Sequence, residues 1–171
     1  SDLEKLGISP RTSLDDLGES TRPASKKFRP RRHQKTAVNK AVAHLRAHKR
    51  GQIHMPCGTG KTSLIGLWVR EELNIKRTVV FVPSTALLRQ TWSNWTKHSS
   101  KEFYSVLVCS ESRGKDRLVS GPSGAGLPST TNPDVIAEAL GVRGPIVIFS
   151  TYESSEVVEK AIKKAKWSFN L

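Results

Sequence analysis

The sequence predicts an α/β protein built on a parallel sheet with helices on both faces. Two observations carry that prediction. Short apolar, β-branched runs alternate with segments whose apolar residues recur at helical spacing, the pattern of strand–helix–strand units. A glycine-rich turn, Gly58-Thr59-Gly60-Lys61-Thr62, stands between one such run and one such helix. With 171 residues, the chain fits one domain and can bury an ordinary core.

The elements follow in order. Residues 1–27 are polar without a sustained apolar period and read as a flexible N-terminal linker. Lys26 to Arg32 is a basic run that Pro30 keeps out of a helix interior. Val38, Ala41, Val42 and Leu45 then place a helix over His33 to His48. Gln52 to Met55 reads as a short strand, followed by the glycine turn and a helix carrying Leu64, Ile65 and Trp68. Thr78 to Val82 is a continuous apolar run, expected of a strand buried on both faces. The helix after Pro83 carries Leu88, Thr91, Trp92 and Trp95 on one face, so both tryptophans read as core. Tyr104 to Cys109 is a third strand. Glu111 to Asn132, rich in Gly, Ser and Pro, reads as a long mobile surface loop. Pro133 opens a short helix with Asn132 as its cap. Ile146 to Phe149 is the fourth strand. The last helix turns Val157, Val158, Ala161, Ile162 and Ala165 inward and Lys160, Lys163 and Lys164 outward, and Trp167 to Leu171 looks like another strand beginning.

Composition narrows the class. The formal net charge is +13, from 28 Lys+Arg against 15 Asp+Glu, which favours a polyanionic partner such as nucleic acid. A solvated basic surface on part of a longer chain is the plainer alternative. Cys57 and Cys109 form no Cys-x-x-Cys pair and no His cluster accompanies them, which argues against zinc. Cys57 sits inside the glycine turn, where a disulfide would block it, so a reducing, cytoplasmic compartment is expected. No signal-peptide core and no run of membrane-spanning length is visible, so no membrane association is expected.

The glycine turn carries the clearest chemistry. Glycines let backbone N–H groups turn inward to cradle phosphates, and a following helix adds the positive end of its dipole. Lys61 would reach the β- and γ-phosphates, and the Thr62 hydroxyl would hold Mg²⁺. The expected ligand is therefore ATP with Mg²⁺, held by Pro56, Cys57, Gly58, Thr59, Gly60, Lys61 and Thr62. The general motif places a glycine where this chain has Met55. The plain alternative is a Gly-Thr-Gly turn with a surface lysine.

The departure at Met55 points to a family. Pro56-Cys57-Gly58-Thr59-Gly60-Lys61-Thr62 resembles motif I of superfamily 2 helicases and translocases of the DEAD/DEAH type, which often lack the first glycine. Pro30-Arg31-Arg32-His33-Gln34 resembles the family element whose glutamine reads adenine. Val82-Pro83-Ser84-Thr85-Ala86-Leu87-Leu88, with Gln90, resembles motif Ia, and Phe149-Ser150-Thr151-Tyr152-Glu153-Ser154 resembles the DNA-contacting Ser-Thr-Tyr-Gln-Ser motif. Among superfamily 2 proteins the wording is closest to restriction-enzyme motors. The resemblance implies that residues 28–171 are part of a RecA-like ATP-binding domain. Gln34 and Arg31 would then lie at the nucleotide, with Ser84, Thr85, Gln90, Ser150, Thr151 and Tyr152 toward nucleic acid, DNA being the expected track. Simple helix caps remain an equal reading for the hydroxyls. Phe28 or His33 could stack near the base or only pack, and Tyr152 could stack or brace its loop.

Members of this family also need an acidic Asp-Glu pair, the Walker B element, which positions Mg²⁺ and the attacking water. No such pair is present. Glu71-Glu72, Asp15-Asp16 and Glu111 stand in the wrong context, and the second motor domain with its arginine finger is absent from this chain. The leading expectation is the ATP-binding part of a DNA helicase or translocase, inactive alone. A non-catalytic nucleic-acid-binding module with a vestigial loop is the alternative, and a kinase or signalling NTPase is a third.

Overall fold

The structure is a computed structural model and describes residues 30–110, 129–141 and 144–167, the side chains of residues 62 and 63 excepted. The expected linker 1–27, most of the expected loop, and residues 168–171 of the expected last strand lie outside it.

Three strands form one parallel sheet: β1 (Arg77–Val82), β2 (Tyr104–Val108) and β3 (Ile146–Thr151), in the order β1-β3-β2. The register runs from Arg77 opposite Ile146 to Val82 opposite Thr151, and from Tyr104 opposite Ile146 to Val108 opposite Ser150. Five helices accompany them among the described residues: α1 (Arg32–Ala47), α2 (Gly66–Glu72), α3 (Thr85–His98), α4 (Pro133–Ala139) and α5 (Ser155–Lys164).

Strand alternation sorts the core into two layers. Leu107, Val147 and Phe149 face one cluster, with Val38 and Val42 of α1, Leu67 and Trp68 of α2, and Leu88, Trp92 and Trp95 of α3. Val106, Ile146 and Ile148 face the other, with Ile136 of α4 and Val158 and Ala161 of α5. The architecture is thus the expected α/β one, helices covering both faces of a parallel sheet. Each fully buried aliphatic side chain contributes about 1.5–3 kcal/mol, so β3, buried along its whole length, anchors the fold. Trp92 and Trp95 are core, as expected. Trp92 Nε1 donates to the buried Ser105 Oγ at 3.1 Å, and Trp95 meets Phe149 edge to face. Asn132 caps α4 by accepting from the Asp134 amide at 2.9 Å.

Three expectations are corrected. Gln52 to Met55 forms no strand and runs as irregular chain, because no neighbour among the described residues supplies ladder partners. β1 is not buried on both faces: among the described residues it pairs only with β3, and Val79 and Val80 are half-buried and Phe81 is 38% exposed. The end of the long Gly-, Ser- and Pro-rich segment is tied down, since Ser129 bridges Leu107 and the Thr130 amide donates to the Leu107 carbonyl at 3.1 Å. Trp167 packs under the Arg77 guanidinium, 5.5 Å from the ring centre.

Candidate nucleotide site and strand-end surface

The glycine turn is built as a loop with two left-handed residues. Gly58 has φ 76° and Gly60 φ 84°, a region where L side chains are strained. Nothing lies within 4 Å of where a Gly58 side chain would begin, so the crest of the loop is open. A Gly60 side chain would begin 3.0 Å from Gln34 Nε2. Thr59 Oγ1 donates to the Pro56 carbonyl at 2.7 Å and closes the turn.

Past Gly60 the chain does not enter an α-helix at once. Lys61–Ile65 forms a π turn in which the Leu64 and Ile65 amides both donate to the Gly60 carbonyl, at 3.0 and 3.2 Å. The expected helix is therefore a π turn continued by α2. Single π turns recur at functional sites because they widen the helix by one residue. Ile65 and Trp68 are buried, and Gly66 lets α2 approach Trp95 of α3, where a side chain would begin 3.3 Å from the indole.

The Lys61 ammonium is half-buried and folded back on its own loop, donating to the Met55 carbonyl and, at 3.2 Å, to the Pro56 carbonyl. An ammonium has three donors, so one remains, and a phosphate could also displace the carbonyls. The Thr62 backbone lies in the π turn, and its hydroxyl, expected at Mg²⁺, is outside the described side chains.

Gln34 is the residue whose placement says most. It sits at the third position of α1 and is 5% exposed. Its Oε1 accepts from the Arg31 amide at 2.9 Å, and its Nε2 donates to the Thr59 carbonyl at 3.0 Å. One side chain therefore caps α1 and ties it to the glycine loop. One lone pair of Oε1 and one hydrogen of Nε2 remain for a further partner. The tether is not visible in the sequence, because 25 residues separate its ends. Arg31 is the N-cap residue of α1 and is exposed, as is His33. Cys57 is exposed and Cys109 buried, both free thiols.

The second group of residues lies at the carboxyl ends of β1 and β3, which the register brings side by side. Ser84 caps α3, its Oγ accepting from the Leu87 amide at 3.3 Å. Thr85 and Gln90 are exposed on α3. Ser150 and Thr151 are buried and use their hydroxyls internally: Ser150 Oγ donates to the Thr151 carbonyl at 3.0 Å, and Thr151 Oγ1 to Ser154 Oγ at 3.3 Å. Tyr152 is 60% exposed and stacks on Phe81, with ring centres 6.3 Å apart and 23° between planes. Phe81 was missed by sequence reasoning, which placed it inside a buried strand. The signal was its position one residue from the end of the run, where the open edge of β1 leaves it uncovered.

Among the described residues no group of His, Cys, Asp or Glu is arranged to hold a metal ion, and no helix is long and apolar enough to cross a membrane.

Residues 27–161 match the family described as Type III restriction enzyme, res subunit. The chain is 29% identical over 144 residues to the probable helicase A859L of two African swine fever virus strains, and 28% identical to that of a third. The match covers 84% of this chain but only 16% of the viral protein. Among solved structures, the ATP-dependent Type ISP restriction-modification enzyme LlaBIII bound to DNA aligns with a TM-score of 0.67 and 32% identity, over 84% of this chain and 10% of that one. The chain belongs to the Type III restriction enzyme res-subunit family, and its fold is the N-terminal, RecA-like part of a superfamily 2 helicase-type domain.

Proposed function

We propose that this chain is the ATP-binding part of an ATP-dependent DNA helicase or translocase, holding ATP·Mg²⁺ on residues Pro56 to Thr62. The observation that carries this reading is the loop itself. Two left-handed glycines shape it, its crest at Gly58 is open, and a lysine at the head of the π turn is already directed at the loop's interior. In this reading the loop amides and the start of the π turn and α2 receive the phosphates. Lys61 exchanges carbonyl partners for phosphate oxygens, and Gln34 holds the loop in shape while its unused donor and acceptor face the base. Thr62 would supply the protein oxygen to Mg²⁺, whose contribution is to screen the phosphate charge.

Nucleic acid would meet the strand ends through Ser84, Thr85, Gln90 and Tyr152, with Phe81 added as a second aromatic. The inward bonds of Ser150 and Thr151 favour a bracing role for these two, with the loop's backbone amides making any phosphate contact. The relative of known structure is described as bound to DNA, which favours DNA as the track, and a cytoplasmic location suits such a partner.

Hydrolysis needs an acidic pair that this chain lacks. Among the described residues β1 is paired on one side only, which supports the view that a further strand completes the sheet there. The chain spans 16% of its viral relatives and 10% of the restriction enzyme, so the activity belongs to a longer protein. A steady-state ATPase assay with DNA present tests this. The 171-residue chain should stay below about 1 s⁻¹, an ordinary enzyme value, and a longer chain carrying the acidic pair should exceed it. Turnover above that value by the short chain would refute the reading.

A further inference from the structure

The charge of this protein is not spread over it. Between Ser20 and Arg70 the sequence holds 13 Lys and Arg and no Asp or Glu; taking 13 from 28 leaves 15 basic residues elsewhere against all 15 acids. The whole net charge of +13 therefore belongs to one stretch of 51 residues, and the remainder is neutral. That stretch contains α1.

Seven of these cations sit on α1 or beside its ends: Arg31, Arg32, Lys35, Lys40, Arg46, Lys49 and Arg50. All seven are exposed, and none makes an ion pair among the described residues. α5 differs: two of its three lysines are answered by acids, Lys163 by Glu159 and Lys164 by Asp134. At 100° per residue, Arg32, Lys35 and Arg46 fall within about 60° of one another around α1, with Asn39 between them, on the exposed flank beside the buried Val38 and Val42. The stripe from Arg32 to Arg46 is about 21 Å long at 1.5 Å per residue. One DNA strand places roughly six phosphates along that distance.

We infer that the exposed face of α1 is a docking surface for the phosphate backbone of double-stranded DNA, separate from the strand-end surface at Ser84 and Tyr152. A rigid row of unpaired cations matches the rigid row of anions on a duplex, and counterion release drives the association. A single strand is a poorer match. Surfaces that hold single strands combine cations with aromatic platforms for the bases, and α1 carries no Phe, Tyr or Trp. The inference does not rest on nucleotide binding, since none of Arg32, Lys35 and Arg46 touches the phosphate loop through a hydrogen bond.

The test is a salt titration of binding to a labelled 20-base-pair duplex, with a 20-nucleotide oligo-dT as second probe. The R32Q/K35Q/R46Q variant is compared with K160Q/K163Q/K164Q, which removes the same charge from α5. Because all six side chains are exposed, both variants should melt within a few degrees of the parent, checked by circular dichroism. The α1 variant should bind duplex more than tenfold more weakly at 0.1 M salt, with a log–log salt slope shallower by about 2.7, or ~0.9 per lost phosphate contact. The α5 variant should keep the parent slope. Equal losses in both variants would show a net-charge effect only and overturn the inference. Undiminished duplex binding by the α1 variant would overturn it too, as would a loss confined to oligo-dT or to a polyglutamate competitor, the latter marking an acidic protein as partner.

Discussion

Replacing Gln34 separates two jobs that the structure gives to one side chain. Gln34→Ala removes the bond to the Arg31 amide and the bond to the Thr59 carbonyl. A net hydrogen bond is worth about 1 kcal/mol, and loss of a helix cap about as much. The expected destabilisation is thus about 2 kcal/mol, a fall in Tm of roughly 4–8 °C for a protein of this size. The effect on ligand follows from the tether. A loop that loses about 1 kcal/mol of preorganisation binds its ligand about fivefold more weakly. The informative ligand is inorganic tripolyphosphate, which has no base. Calorimetric titration should show both Mg·ATP and Mg·tripolyphosphate weakened by about that factor. If tripolyphosphate binds the variant as it binds the parent while ATP is weakened, Gln34 reads adenine only and the tether is mechanically idle. If neither changes, the placement of the site itself is wrong.

Other perturbations probe the remaining links. Gly60→Ala should destabilise by about 1–2 kcal/mol, the cost of a left-handed alanine, and should disturb Gln34 as well. Gly58→Ala carries the same backbone cost but meets nothing, so equal loss of nucleotide affinity in both would contradict the crowding argument. Phe81→Ala and Tyr152→Ala alter exposed rings, so they should barely shift Tm yet weaken oligo-dT binding tenfold or more, since one stacked base is worth about 1–3 kcal/mol; unchanged binding would remove the pair from the track. Burial, and secondarily Lys97, holds the His98 imidazole below its ordinary value. A histidine depressed in the fold is kept neutral, so its contribution is present above the unfolded value near 6.5 and lost as pH falls through the folded one. Tm should therefore decline from pH 7 to 5.5, and His98→Gln should lessen the decline; an identical decline would clear His98 as its source.

The sequence made some of this legible and hid the rest for physical reasons. Elements whose signal is internal were read closely: α1 is Arg32–Ala47 against an expected 33–48, and α5 turns inward the residues its periodicity named. The Asn132 cap and the two core tryptophans were readable because a cap and a helical face are local patterns. Gln52 to Met55 has strand composition but no strand, because pairing is a property of neighbours and not of a segment. The same cause left Phe81 in view: an apolar run implies burial only if the sheet continues on both sides, and among the described residues it does not at β1. In the site, the loop was legible from residue types at fixed spacing. The π turn, the Lys61 bonds back to Met55 and Pro56, and the Gln34 tether were not, since they depend on where distant backbone carbonyls fall.

The central claim is that Pro56 to Thr62 binds ATP·Mg²⁺ through Lys61. Titrating the chain with a fluorescent ATP analogue in the presence of Mg²⁺, beside its Lys61→Ala variant, tests it most directly. Hydrogen bonds to a charged group are worth about 1.5–3 kcal/mol each, so the parent should bind saturably and the variant more than tenfold more weakly, with an unchanged circular dichroism spectrum. Equal affinity in the two proteins, or no saturable binding by the parent, would contradict the account.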